Sequence, residues 1–367
     1  MTRLRPLVSL AALALAAGLA APAAAQTCSD QLFPVALGEG APADQQLFGR
    51  HCRPASSPSP EVAGTLLVFV HGITYPHDYW DFADPTNGTD RYSFVAAAHA
   101  AGFPTLAIDR LGIGQSSHPL SIDVTIETNA HTVHELLQAV RGGALLDAND
   151  APYARIVQIG HSYGSWTTWY VATRYDDVDA VVLTGATHGL TTIDAPFGVA
   201  SRLYPASSDP RFGPLSGLDS GYLTTRPGER YGAFYAPAVV DPAVIEHDEA
   251  TKETVTNSEI QTYQLILAEP LDIRVPVFLT VGQVDALFCG PAPGGADCSS
   301  EQALIDFESP FLGPSVPSVD AYILPAGGHD MNQMLNAGLY FDAVIDWLRG
   351  VVLAAAGGPA AVAGGSP

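Results

Sequence analysis

Two kinds of hydrophobic spacing alternate along this chain. Short, continuous β-prone runs occur at Thr65-Leu-Leu-Val-Phe-Val70, Pro104 to Ile108, Arg155 to Ile159, Ala180 to Thr184, Val275 to Val281 and Ala321 to Leu324. Apolar runs without polar alternation predict strands covered on both faces, as in a parallel sheet. Between them lie stretches that predict helices: Tyr92 to Ala101, Thr125 to Arg141, Ser162 to Tyr175 and Asn332 to Arg349. In the second of these, Val133, Leu136, Leu137 and Val140 recur at three-and-four spacing, and Gly142-Gly143 marks the stop. Alternation of this kind predicts an α/β fold: a mostly parallel central sheet with right-handed crossovers and helices on both faces.

The alternation pauses between His188 and Arg274. This stretch is rich in turn residues and aromatics, among them Tyr204, Phe212, Tyr222, Phe234, Tyr235 and Tyr263. It is too long for a structureless loop, so an inserted cap is expected over about 188–274. Residues 1–25 read as a secretory signal peptide. Arg3 and Arg5 give the positive start, Leu7 to Ala20 the apolar region, and Ala23-Ala24-Ala25 the cleavage site. Residues 26–60 are expected to form an N-terminal extension before the sheet, 61–350 the main domain, and 351–367 a low-complexity tail rich in Ala and Gly. Export to the extracellular space or periplasm is the expected outcome, without stable membrane insertion, because no later segment is apolar for long enough to span a bilayer.

Charge narrows the partners. The formal net charge is −22, and losing the two arginines of the leader makes it −24; Lys252 is the only lysine. A chain this acidic has no cationic footprint for nucleic acid or for an anionic membrane surface. The four cysteines of an exported chain suggest two disulfides, and their spacing favours neighbours: Cys28 with Cys52, and Cys289 with Cys298. No Cys-x-x-Cys pair is present to suggest a zinc site.

The strongest chemical signal is Gly160-His161-Ser162-Tyr163-Gly164, directly after the strand Arg155 to Ile159. Gly-x-Ser-x-Gly between a strand and a helix predicts a nucleophile elbow, a turn so tight that its flanking residues must be small. A serine hydroxyl needs a base to take its proton. His329 follows the strand Ala321 to Leu324 across Gly327-Gly328, at the sheet edge where sites form. Asp285 follows Val275 to Val281 through Gly282-Gln283-Val284 and would orient that base. Asp194, near the end of the preceding strand, is the alternative acid, and Asp330 could instead be an N-cap. Backbone N–H groups of Tyr163, just after the serine, and of Ile73, in the loop His71-Gly72-Ile73, are the expected oxyanion donors.

Taken together, these motifs and Asp109-Arg110-Leu111-Gly112-Ile113-Gly114-Gln115-Ser116-Ser117 make the chain resemble the α/β-hydrolase superfamily, from about Val62 to Gly350. The resemblance is to its secreted, capped, single-domain members. It implies an α/β-hydrolase fold, a Ser162–His329–Asp285 triad and a mainly structural role for the Asp-Arg turn. A serine at the elbow argues against epoxide hydrolase and haloalkane dehalogenase chemistry, which uses a carboxylate on a similar scaffold. The expectation is a serine hydrolase of carboxylic esters acting through an acyl-enzyme on a small-molecule substrate, with no cofactor and no metal. A lactonase, or a peptidase or amidase, would use the same apparatus, and a non-catalytic binding protein of the same fold is the remaining alternative. Gly112-x-Gly114-x-x-Ser117 lacks the third glycine of a dinucleotide loop, and His131-x-x-His134-Glu135 has the order of neither zinc-protease motif. His161 and His188 could line the pocket or simply pack.

Overall fold

A computed structural model describes residues 27–191, 198–213, 217–290 and 294–355. The expected leader (residues 1–25), Asp194 and most of the expected tail lie outside these residues.

Eight strands form one sheet, in the order β1 (Thr27–Val35), β2 (Gln45–Arg53), β4 (Thr105–Ile108), β3 (Thr65–Val70), β5 (Arg155–His161), β6 (Ala180–Thr184), β10 (Val277–Gly282) and β11 (Val319–Leu324). From β4 to β11 every pairing is parallel. Every residue of β3, β6 and β10 is buried. That follows from their predominantly apolar sequences, interrupted only by threonine, which leave no face for water. Helices α3 (Ile126–Arg141) and α4 (Tyr163–Arg174) pack together on one side of the sheet. On the other, α2 (Phe94–Ala100) meets α10 (Gly338–Ala355), with Phe94 stacked on Phe341 at 4.8 Å between ring centroids. Two further helices, α1 (Pro60–Ala63) and α9 (Glu301–Leu312), complete the main layers. Among the described residues, no helix is long and apolar enough to cross a membrane.

The expected extension over 26–60 differs from expectation. From Thr27 to Arg53 it is not ahead of the sheet but forms its antiparallel edge hairpin, with β1 on β2 and β2 on β4. Cys28 stands directly opposite Cys52 in this hairpin and is bonded to it, and Cys289 is bonded to Cys298. Closing loops of these lengths contributes about 3 kcal/mol each when the native geometry is unstrained. Peptide mapping without reduction should therefore recover both pairs, and reductant should lower the unfolding midpoint; an unchanged midpoint would mean that neither link stabilises the fold.

Between β6 and β10 the chain builds a second, three-stranded antiparallel sheet from β7 (Leu203–Pro205), β8 (Tyr222–Thr225) and β9 (Val255–Thr256). Around it lie α5 (Gly198–Ser201), α6 (Glu229–Phe234), α7 (Pro242–Thr251) and α8 (Asn257–Ala268). The last of these packs back on α3 and α4. Helix α10 begins at Gly338 rather than near Asn332, because Met331–Gln333 forms a separate 3₁₀ turn, and it continues through Ala355 into the expected tail.

Candidate active site

The strand order reverses between β3 and β5: the chain leaves β3 for β4 on one side and returns to β5 on the other. Such a switch point opens a crevice at the carboxyl ends of the strands. Val70 is in register with Gly160, so the loop after β3 lies beside the turn after β5. That turn places Ser162 at φ +53°, a left-handed conformation that costs a non-glycine residue free energy. A Cβ at Gly160 would collide with the backbone of Gly164, and one at Gly164 with the carbonyls of Val70 and His71. The elbow requires glycine at both positions because helix α4 starts in contact with the strand ends.

One sheet edge further, Gly282 is in register with Leu324. The short loops beyond these residues bring Asp285 and His329 together, with His329 Nδ1 2.9 Å from Asp285 Oδ2. Both residues are buried. The other carboxylate oxygen of Asp285 accepts the N–H groups of Leu287 at 2.9 Å and Phe288 at 3.3 Å. Burial disfavours a charged His329, but the charge of Asp285 and its hydrogen bond outweigh this and raise the imidazole above its usual 6.5. The His329 ring packs on Phe234 and Phe288, at 5.6 and 5.5 Å between centroids.

Phe234 and Phe288 also line a cavity of about 50 Å³ that contains Ser162. Ile73, Tyr163, Trp166 and Leu287 contribute from the main layers, and Val199, Ala200, Ile260 and Tyr263 from the insertion. Trp166 stacks on Tyr263 at 4.6 Å, joining the two parts of the wall. Neither the Ile73 nor the Tyr163 N–H has a hydrogen-bond partner among the described residues. The Gly72 carbonyl accepts Nη2 of Arg110 at 3.2 Å and lies 2.8 Å from Nδ1 of its neighbour His71. In a planar trans peptide the N–H points opposite to the C=O, so these bonds turn the Ile73 N–H away from Arg110. Arg110 itself is buried, pairs with Glu259 of α8 and lies over the Tyr163 ring at 4.5 Å. Its backbone N–H donates to Nε2 of His71 at 3.0 Å, which leaves Nδ1 as the protonated nitrogen. Burial, together with the Arg110 charge, holds that imidazole neutral.

The remaining candidates separate clearly. His161 is buried and stacked on Tyr79 at 4.4 Å, and does not line the cavity. Burial and the nearby His329 charge push its pKa well down, so its 3.2 Å contact with Asp330 is a hydrogen bond from a neutral imidazole. Asp330 makes no side-chain cap; its carboxyl accepts Tyr75 as well as His161, and burial pushes it up to about 6. His161, His329 and Asp330 have donor atoms within 4.8 Å of one another, the spacing a metal ion would need, but Asp330 is already bonded to His161 and Tyr75, and His329 Nδ1 to Asp285. His188 is stacked between Trp169 and Phe311 and bonded to Glu308. His131 and His134 turn to Glu135 and Asp177. In the Gly112–Ser117 turn, the Asp109 carboxylate accepts the Gln115 N–H, so that donor is already taken by the protein's own anion. What sequence reasoning missed is the buried set Tyr75, Arg230, Asp248 and Asp330, whose members lie far apart along the chain.

The pattern of the Alpha/beta hydrolase family matches residues 67–360. The chain belongs to this family. This α/β hydrolase shares its fold with an epoxide hydrolase from Vigna radiata (14% identity, TM-score 0.53, covering 88% of this chain and 98% of that one). It is similarly close to a protein assigned as an aryl esterase from Burkholderia cenocepacia (13% identity, TM-score 0.54, 88% and 99% covered). At such identities the likeness is one of fold. A comparison with curated proteins gives no match.

Proposed function

We propose that this α/β hydrolase is an exported serine hydrolase that cleaves carboxylic esters. Ser162 attacks the carbonyl, His329 takes its proton and later returns it to the leaving alcohol, and Asp285 holds the imidazole. The N–H groups of Ile73 and Tyr163 stabilise the oxyanion, and water resolves the acyl-enzyme. The observation that carries this reading is the buried Asp285–His329 hydrogen bond beside a cavity that holds Ser162. A serine at the elbow, not a carboxylate, favours ester chemistry over epoxide opening.

The insertion acts as a cap, since its residues wall the cavity over Ser162. That wall is apolar, which favours a neutral acyl group and disfavours the charged end of a peptide. The nearest buried cations, Arg110 and Arg230, are already neutralised by Glu259 and Asp248. A series of p-nitrophenyl esters at fixed ionic strength tests this. Each acyl methylene that enters the cavity should raise kcat/KM up to about fourfold until the space is filled. An ester carrying a free carboxylate on the acyl group should be slower by roughly two orders of magnitude. A carboxylate-bearing ester as the best substrate would refute an apolar acyl site.

A further inference from the structure

Of the four chain segments that carry the groups assigned above, three are each flanked by a member of one buried cluster. Thr74 and Tyr75 follow Ile73, His161 precedes Ser162, and Asp330 follows His329. Asp330 is bonded to Tyr75 and His161, and the Tyr75 hydroxyl also lies 3.1 Å from Asp248. Asp248, on α7, accepts two bonds of 2.7 Å from Arg230 on α6. Arg230 then donates Nη1 to Thr74 Oγ1 at 2.8 Å.

Thr74 closes this cluster in a conformation it would not choose. Its φ is +57°, a left-handed value that is strongly disfavoured for a β-branched residue. Three bonds hold it there, all from the insertion. Its N–H donates to Thr254 O at 3.1 Å, its carbonyl accepts Glu253 N–H at 2.9 Å, and its hydroxyl accepts Arg230. The peptide immediately before Thr74 is the one that follows the Ile73 N–H. Relaxation of Thr74 to a negative φ would turn that stretch of backbone and carry the Ile73 donor off its line.

We propose that Arg230 is a positioning residue for the Ile73 oxyanion donor, acting through the hydroxyl of Thr74. This rests on the assignment of Ser162 and Ile73 above. The insertion then has two functions: it walls the acyl site, and it clamps the strained loop that completes the oxyanion hole. Such a clamp acts on the transition state, because the ground-state carbonyl makes weaker use of the donor than the oxyanion does.

Thr74→Val removes the hydroxyl at nearly constant shape and leaves the Arg230–Asp248 pair intact, and Thr74→Ser restores the hydroxyl. The measurements are kcat and KM for p-nitrophenyl butyrate per site titrated with a fluorophosphonate, the affinity for an alkylboronic acid as a tetrahedral analogue, and the unfolding midpoint. For Thr74→Val, kcat should fall about 10- to 100-fold and boronate affinity by a similar factor, with KM changed less than about twofold. Thr74→Ser should recover most of both losses. A kcat per titrated site within about twofold of wild type would overturn the proposal whatever the midpoint does. So would a loss confined to KM, or an equal loss in Thr74→Ser. Failure of wild type to be labelled at Ser162 would instead overturn the underlying assignment.

Discussion

Ser162→Ala is expected to abolish fluorophosphonate labelling and to lower ester turnover on the order of 10⁶-fold. The fold should survive, because the Ser162 backbone bonds do not involve its side chain: its N–H donates to Thr184 O at 2.8 Å and its carbonyl accepts Ser165 N–H at 2.8 Å. The unfolding midpoint should therefore stay close to that of wild type. His329→Ala should be nearly as damaging, since an unassisted serine stays protonated. The double variant should be no slower than the worse of the two singles, because nucleophile and base act as one unit. Mass mapping of the labelled peptide is the deciding measurement. Label on Ser165 in place of Ser162 would remove the assignment; Ser165 Oγ is buried and committed to Thr184 O, so no such label is expected.

The central strands and the serine, acid and base candidates were legible in the sequence for one reason. Each candidate stands a few residues beyond a continuous apolar strand, so local pattern alone places it at the sheet edge. The first two strands escaped because an antiparallel edge need not be apolar. Most of β1 is exposed, and it contains Asp30, Gln31 and Pro34. The signal that could have found the hairpin is the expected Cys28–Cys52 pair, whose midpoint falls on Gly40, a turn glycine at φ +76°. The delayed start of α10 has a similar cause. Asn332 and Gln333 are buried polar side chains, bonded to the Tyr79 carbonyl and to Tyr235, and these bonds compete with helix formation. The cluster of Arg230, Asp248, Tyr75 and Asp330 was illegible on different grounds. Its partners are brought together only when the insertion docks, and no local periodicity marks a lone buried charge.

Asp285→Asn is expected to lower kcat about 10⁴-fold while leaving the substrate cavity unchanged. The geometry specifies the direction of failure. The oxygen of Asp285 that faces away from His329 accepts the Leu287 and Phe288 N–H groups, so an asparagine will set its carbonyl there. Its NH₂ then meets Nδ1 of His329, which must present a lone pair and carry its proton on Nε2. That tautomer has no basic nitrogen left for Ser162. In wild type, kcat/KM should rise with pH as His329 loses its proton, and this limb should lie above pH 6.5 because Asp285 raises the imidazole pKa. Burial without the compensating charge should move the limb of the variant downward. Asp330→Asn removes a smaller charge contribution to His329 and no hydrogen bond to its ring, since Asp330 is bonded to His161 and Tyr75, so it should lower the limb less than Asp285→Asn does. A pH profile of all three proteins decides between the two carboxylates. An unchanged rate in Asp285→Asn would move the orienting acid elsewhere, with Asp194 the next to be replaced.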